Sequence, residues 1–250
     1  MKENAIERRL AKLWRAYYLK RIFLPIWPGK PKPSPKAIYT LDRKGAEVLQ
    51  ETKGIDPELL RARIKQNEVG ERYLKHSLMI SNFRAILSLV TNEEKNLELL
   101  FFRQDKGLEN RIKIKNKTYP VIPDGFFGLE DQKGKFYFFL EADRSTMSNR
   151  RYLSKLKAYW YWKKEKGQTK KFNIKNFRVL TLTKSKERAE SLRETALKLK
   201  EVEKANLMTF WFSDESKISL EDPQTIFNKI WKIANDDELH SLFGIEEDML

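Results

Sequence analysis

Apolar positions recur along this chain at two spacings, one helical and one alternating, and each change of spacing marks a new element. From 4 to 18, Ile6, Leu10, Leu13 and Tyr17 return every three to four residues. Asn4 can cap that helix, and Arg8, Arg9, Lys12 and Arg15 fill its remaining face. A strand is expected in "YYLKRIFLPIW", a basic proline-rich turn in "PGKPKPSPK", a second strand in "AIYTLD" and a short helix in "RKGAEVLQET". Gly54 to Pro57 then reads as a boundary. A long helix is expected over 57–90, kinked near Gly70, with Leu59, Leu60, Ile64, Leu74, Leu78, Ile86 and Leu87 among its apolar positions.

Beyond 96 the spacing becomes that of strands. "LELLFFRQ" (97–104) is a strand, "RIKIKNKTYPVIPD" a hairpin turning near Asn116-Lys117, and "GFFGLEDQKGKFYFFLEAD" a second hairpin turning at 131–134. Helix 148–166, strand 177–183, helix 185–204, strand 207–213 and a helix over 223–235 complete the reading, with an acidic tail to the end. The fold class is α/β (α+β), in three parts: 1–54, 55–213 and 214–250. Helix, strand, basic loop and strand over 1–54 is the pattern of a winged-helix-like module with its wing at 28–36. Its helix would enter a major groove, and Lys30 and Lys32 on the wing would touch phosphates. The alternative is an ordinary helix and hairpin packed on the next domain. A complete winged helix has two more helices ahead of this one, and the chain begins after the place where they would stand.

Charge sharpens that picture. The net charge is +15, and it is clustered: residues 1–53 hold 13 basic and 5 acidic side chains, residues 150–188 hold 14 and 2, and residues 214–250 hold 3 and 10. Two concentrated basic regions point to a polyanionic partner, for which nucleic acid is the default. There is no cysteine, which excludes disulfides, thiolate zinc sites and cysteine nucleophiles. No apolar run is long enough to span a membrane and the N-terminus lacks a secretory pattern, so a cytoplasmic protein is expected. No glycine-rich phosphate loop and no Gly-x-Ser-x-Gly element is present.

The candidate chemistry lies in the second hairpin. Side chains alternate along a strand, so Tyr137, Phe139, Glu141 and Asp143 share one side, and both acids emerge at the strand's end. Asp124 ends the preceding apolar run. Three converging carboxylates repel one another unless a cation lies between them. Oxygen donors without a His or Cys cluster suit Mg²⁺ or Mn²⁺, and such an ion beside a basic surface suits phosphodiester hydrolysis. The alternatives are a degenerate site on the same fold, or a turn residue at Asp124 with Glu141 and Asp143 paired to Arg144 or Lys157.

The order helix, three strands, helix, strand resembles the αβββαβ core of the PD-(D/E)xK nuclease superfamily, here 57–90, 97–104, 117–123, 135–143, 148–166 and 177–183. Pro123-Asp124 resembles its first motif and Glu141-Ala142-Asp143 its second. Asp143 stands where the superfamily has lysine. Some members carry that lysine on the following helix, where Lys155 or Lys157 could serve. Arg151, Lys155 and Tyr159 share one helical face, which would be aimed at the acids.

A narrower resemblance follows from "FLEADRSTMSNRRYLSKLKAYWYW". It is similar to the replication-relaxation family of plasmids and mobile elements, which pairs a winged helix with a nuclease-like domain. The family's PDG element appears as Pro123-Asp124-Gly125 and its acidic run as Glu141, Asp143, Arg144 and Thr146. Its helical Lys and Tyr appear as Lys155 and Tyr159, and its His-x-Leu stretch as His76 and Leu78. Ser145 replaces the expected Gly.

The resemblance implies a DNA-binding protein of plasmid or mobile-element replication or mobilisation. It would be a Mg-dependent endodeoxyribonuclease with Asp124, Glu141, Asp143 and Lys155 as its site, or an inactive accessory, relaxosome or regulatory protein on the same fold. DNA contacts are expected at Arg8, Arg9, Lys12, Arg15, Lys30, Lys32, Arg151 and Tyr159. The partners implied are DNA and replication or mobilisation proteins, with no membrane, and a homo-oligomer is left open. His76 reads better as a core or capping histidine than as a catalytic one. Of Tyr159, Trp160, Tyr161 and Trp162, at least one is expected to be exposed.

Overall fold

The computed structural model describes residues 3–23, 37–67 and 70–243. It divides into two compact units, 1–75 and 76–250.

The first unit contains α1 (Glu3–Arg15), then β1 (Leu19–Phe23) and β2 (Ala37–Leu41), which pair antiparallel from Leu19↔Leu41 to Phe23↔Ala37. Asp42 accepts from the Arg43 N–H at 2.7 Å and opens α2 (Arg43–Lys53). Gly54 closes that helix in the left-handed region (φ 61), with its N–H donating to Gln50 O at 3.0 Å. Pro57 occupies the first position of α3 (Pro57–Asn67), where a missing N–H is harmless. Arg8, Arg9, Lys12 and Arg15 are all exposed on α1, interleaved with exposed Ile6 and Leu13. The expected wing, with Lys30 and Lys32, lies outside the described residues.

The single helix expected over 57–90 is two: α3 ends at Asn67 and α4 runs Glu71–Glu93. Gly70 precedes the second, its carbonyl accepting from the Tyr73 and Leu74 N–H groups. Glycine loses the most backbone freedom in a helix interior, so a break there costs least.

The second unit is a mixed sheet between two helical layers. Its strands are β3 (Leu97–Arg103), β6 (Gly125–Asp131), β7 (Gly134–Asp143), β8 (Arg178–Thr183), β9 (Phe210–Asp214), β10 (Trp231–Ile233) and β11 (Leu239–His240). The order across the sheet is β11-β10-β9-β8-β7-β6-β3. Strands β7, β8 and β9 are mutually parallel, joined by crossovers through α5 (Asn149–Lys164) with α6 (Gly167–Phe172), and through α7 (Lys186–Glu203). The remaining pairs are antiparallel. Alternation in β7 fills both faces. Phe138 and Leu140 join Phe83, Ile86, Leu87 and Val90 of α4, with Phe127, Leu180 and Trp211. Phe139 joins Tyr152, Leu156, Tyr159 and Trp162 of α5, with Phe126, Val179 and Leu192. Each such side chain contributes about 1.5–3 kcal/mol by leaving water.

Two expectations are corrected here. Segment 117–123 is not a strand of the main sheet. Instead β4 (Asn110–Ile114) and β5 (Lys117–Val121) form a separate hairpin, and β6 takes the place between β3 and β7. Pro120 in β5 cannot donate to a ladder, whereas Gly125–Leu129 is buried throughout and suits a central strand. The helix expected over 223–235 is a 3₁₀ turn (Pro223–Phe227) followed by β10, which lies antiparallel to β9 with Lys232↔Phe212. Trp231 and Ile233 are both buried with Lys232 between them, an alternation short enough to pass for helical spacing.

Candidate functional site

The site forms where β7 ends. Gly125 is paired with Leu140, which sets Asp124 beside the last residues of β7. The Asp124 N–H donates to Leu140 O at 3.0 Å, and its Oδ2 accepts from the Ala142 N–H at 2.8 Å. The register thus fixes Asp124 at both its main chain and its carboxylate. His76 Nε2, from α4, stands 3.3 Å from the same Oδ2. Both side chains keep partial access to water, 27% exposed for His76 and 23% for Asp124.

Glu141 projects from β7 toward α5 and is buried. Its Oε2 is ion-paired with Lys155 Nζ, and its Oε1 accepts from the Tyr159 hydroxyl at 2.5 Å. Lys155 and Tyr159 are four residues apart, so one face of α5 delivers both. Burial drives the Glu141 carboxyl up to about 7. The Lys155 charge opposes that rise, and the Asp124 charge adds to it. Asp124 itself is held low: burial would raise it, but the His76 hydrogen bond and the Lys155 charge outweigh burial. Lys155 is raised, because the negative charges of Glu141 and Asp124 overcome its own burial. His76 is raised on the same logic, burial being overcome by Asp124.

Asp143 goes elsewhere. Arg188, near the start of α7, donates to it through Nε at 2.8 Å and Nη2 at 3.1 Å, and the Ser145 N–H adds a bond at 2.8 Å. Arg188 also donates to Asn149 Oδ1 and Met147 O, both at 2.6 Å. One guanidinium therefore ties the end of β7 to the turn 144–148 and to the first residue of α5. Neither salt bridge proposed for the acids forms: Arg144 pairs with Glu215 and Lys157 with Glu203.

The structure therefore brings together Asp124, Glu141 and Lys155, adds His76 and Tyr159, and draws Asp143 away. A three-carboxylate cluster is not formed: among the described residues, no group of three or more His, Cys, Asp or Glu side chains is arranged to hold a metal ion. Two carboxylates remain, and the Asp124 charge helps to raise the Glu141 carboxyl. Both Glu141 oxygens are engaged, by Lys155 and Tyr159, and Asp124 Oδ2 accepts from the Ala142 N–H.

Tyr159, expected at a DNA surface, is fully buried and bonded to Glu141. None of the four consecutive aromatics is exposed: Tyr159 and Trp162 are buried, and Trp160 and Tyr161 pack half-buried against the same core. Arg151 is exposed, beside a cavity of about 330 Å³ that Tyr119, Ile122, Met147 and Lys155 help to line. Arg188 is not among the residues expected at the site, since the sequence of 185–204 marks only a helix. It stands in the first turn after β8, the strand parallel to β7, and that register sets the turn beside the end of β7.

Fold and cluster together define the class: an α+β protein with a buried carboxylate–lysine pair, flanked by an Asp–His pair, at the end of a mixed sheet. The family model for replication-relaxation matches residues 1–176, and the chain belongs to that family. Membership suggests a role in plasmid or mobile-element replication. No curated protein and no solved structure matches the chain significantly. Among the described residues, no helix is long and apolar enough to cross a membrane.

Proposed function

We propose that this chain acts on DNA in the replication or mobilisation of a plasmid or mobile element, and that Asp124, Glu141 and Lys155 form a phosphodiesterase site. The observation that carries this reading is the convergence of Asp124 and Glu141 with Lys155 on one spot, from three separate elements. Asp124 and Glu141 would hold a Mg²⁺ ion, which would supply a water of lowered pKa and neutralise charge on the phosphate. Lys155 would stabilise charge developing on a non-bridging phosphate oxygen. Tyr159 orients Glu141 through its 2.5 Å hydrogen bond, and His76 orients Asp124. Exposed Arg8, Arg9, Lys12, Arg15 and Arg151 would hold the DNA backbone through phosphate contacts.

One observation favours a second reading, a DNA clamp without cleavage: each of the three acids already has a basic side chain beside it, His76, Lys155 or Arg188. Nicking of supercoiled plasmid separates the two. Cleavage that requires Mg²⁺ and is abolished by Asp124→Asn and by Glu141→Gln supports the phosphodiesterase. DNA affinity in EDTA, with no nicking at any Mg²⁺ or Mn²⁺ concentration, supports the clamp.

A further inference from the structure

A second cavity, of about 480 Å³, opens over the same sheet face as α5, on its β3 side. Its lining divides into two chemistries. Phe101, Tyr137 and Phe172 present aromatic rings, and Arg103, Lys170 and Lys171 present cations. The rings are braced from below: Phe126 lies 4.9 Å from Phe101 and 4.7 Å from Phe172, centroid to centroid. Two of the cations lie over one of the rings, with Lys171 Nζ 5.5 Å and the Arg103 guanidinium 5.9 Å from the centre of the Phe172 ring. Asp105 binds Arg103 through two hydrogen bonds of 2.9 and 3.0 Å and so balances one charge. Lys170 and Lys171 have no ion pair among the described residues. Burial and the nearby Arg103 charge depress the Lys171 ammonium, outweighing the charges of Asp105 and Glu109, and its Nζ donates to the Glu109 carbonyl at 2.5 Å.

We propose that this cavity binds one unpaired nucleotide of single-stranded DNA, its base against Phe101, Tyr137 and Phe172 and its phosphate on Lys170 and Lys171. A purely apolar ligand leaves the crowded cations unanswered, and a bare inorganic anion leaves the rings unused. A nucleotide answers both, because every base has a π-face and each unit carries one phosphate. The volume falls within the range of small-ligand sites, about 300–1,000 Å³. Phe126, in the cavity wall, is two residues from Asp124, about 7 Å of extended backbone. A strand seated in the cavity therefore lies within reach of the carboxylates. The inference rests on the DNA-binding part of the proposed function and is independent of cleavage.

The test is photo-cross-linking of the full chain, in EDTA, to a twelve-residue oligothymidylate carrying a single 5-iodouracil, with the attached peptide identified by mass spectrometry. Anisotropy titrations with the same oligonucleotide, with duplex DNA and with thymidine monophosphate run in parallel. Adducts at Phe101, Tyr137 or Phe172 are expected. So is a loss of at least tenfold in single-strand affinity for Lys170→Glu/Lys171→Glu, and a several-fold loss for Tyr137→Leu but not for Tyr137→Phe. Saturable binding of the free nucleotide at the same residues would move the assignment from strand to metabolite and overturn it. Adducts only outside the cavity, or single-strand affinity unchanged in the lysine variant while duplex still binds, overturn it as well and leave the DNA-binding reading standing. Cavity adducts without plasmid nicking uphold it and remove only the cleavage reading.

Discussion

The hydroxyl of Tyr159 donates to Oε1 of Glu141 at 2.5 Å, inside a core where both side chains are buried. A carboxylate in that setting is tolerated because Tyr159 donates to one of its oxygens and Lys155 to the other. Tyr159→Phe removes one donor and no volume of consequence. Stability should fall by about 1.5–3 kcal/mol, the range for a hydrogen bond to a charged group, at pH 8 where Glu141 is ionised. Because the Tyr159 bond lowers the Glu141 pKa, its loss should move the ionisation of Glu141 upward from about 7. Urea denaturation at pH 8 checks the first expectation, and carboxyl-resolved NMR titration checks the second.

Glu141→Gln tests the same carboxyl through its pH dependence. Its folded pKa of about 7 lies above the ordinary value of 4.5. The folded state therefore holds the proton more tightly than the unfolded one. The stability this contributes is fully present below pH 4.5 and is lost as pH rises through 7. Glutamine has no proton to lose. The difference in unfolding free energy between variant and wild type should thus shift in the variant's favour between pH 5 and pH 8. A flat difference across that window would mean that Lys155 keeps Glu141 ionised throughout.

Arg188→Ala should be costly in a different way. Asp143 is 6% exposed and Arg188 14%, and removing one partner of a buried pair leaves a charge without compensation. A loss of about 3–5 kcal/mol is expected, with loosening of the turn 144–148 that Arg188 also holds. Millimolar Mg²⁺ should not restore it. Recovery of stability on adding Mg²⁺ would make Asp143 a metal ligand after all.

Ser145→Gly should stabilise. Ser145 sits in the left-handed region at φ 61, where a side chain costs roughly 1–2 kcal/mol. The residue is exposed, so no packing is lost. Part of the gain is offset by the greater freedom of glycine in the unfolded chain, leaving a net stabilisation of about 0.5–1 kcal/mol. A lower midpoint in thermal melts would show that Ser145 makes a contribution its backbone angle conceals.

Much of this architecture is written locally. The alternation of "FYFFLEAD" places Glu141 and Asp143 on one side and Phe138 and Leu140 on the other, and both cores follow it. Spacing by four along α5 puts Lys155 and Tyr159 on one face, and both reach Glu141. Turn residues set the two hairpins at 114–117 and 131–134. These features depend on residues within a few positions of one another, and steric periodicity decides them before any tertiary contact exists.

What only the folded chain decides is which charge answers which. His76 meets Asp124 across 48 positions of sequence and Arg188 meets Asp143 across 45. Those pairings arise from the placing of α4, β6 and α7 around the end of β7. That placing is also why β6, not β5, stands beside β7, and why Asp143 became a strut while Asp124 and Glu141 stayed together. A carboxylate at a strand end is a local fact. Whether it meets arginine, lysine or a free ion depends on elements distant in sequence, because electrostatic partners are chosen by position in space and by the burial that comes with it.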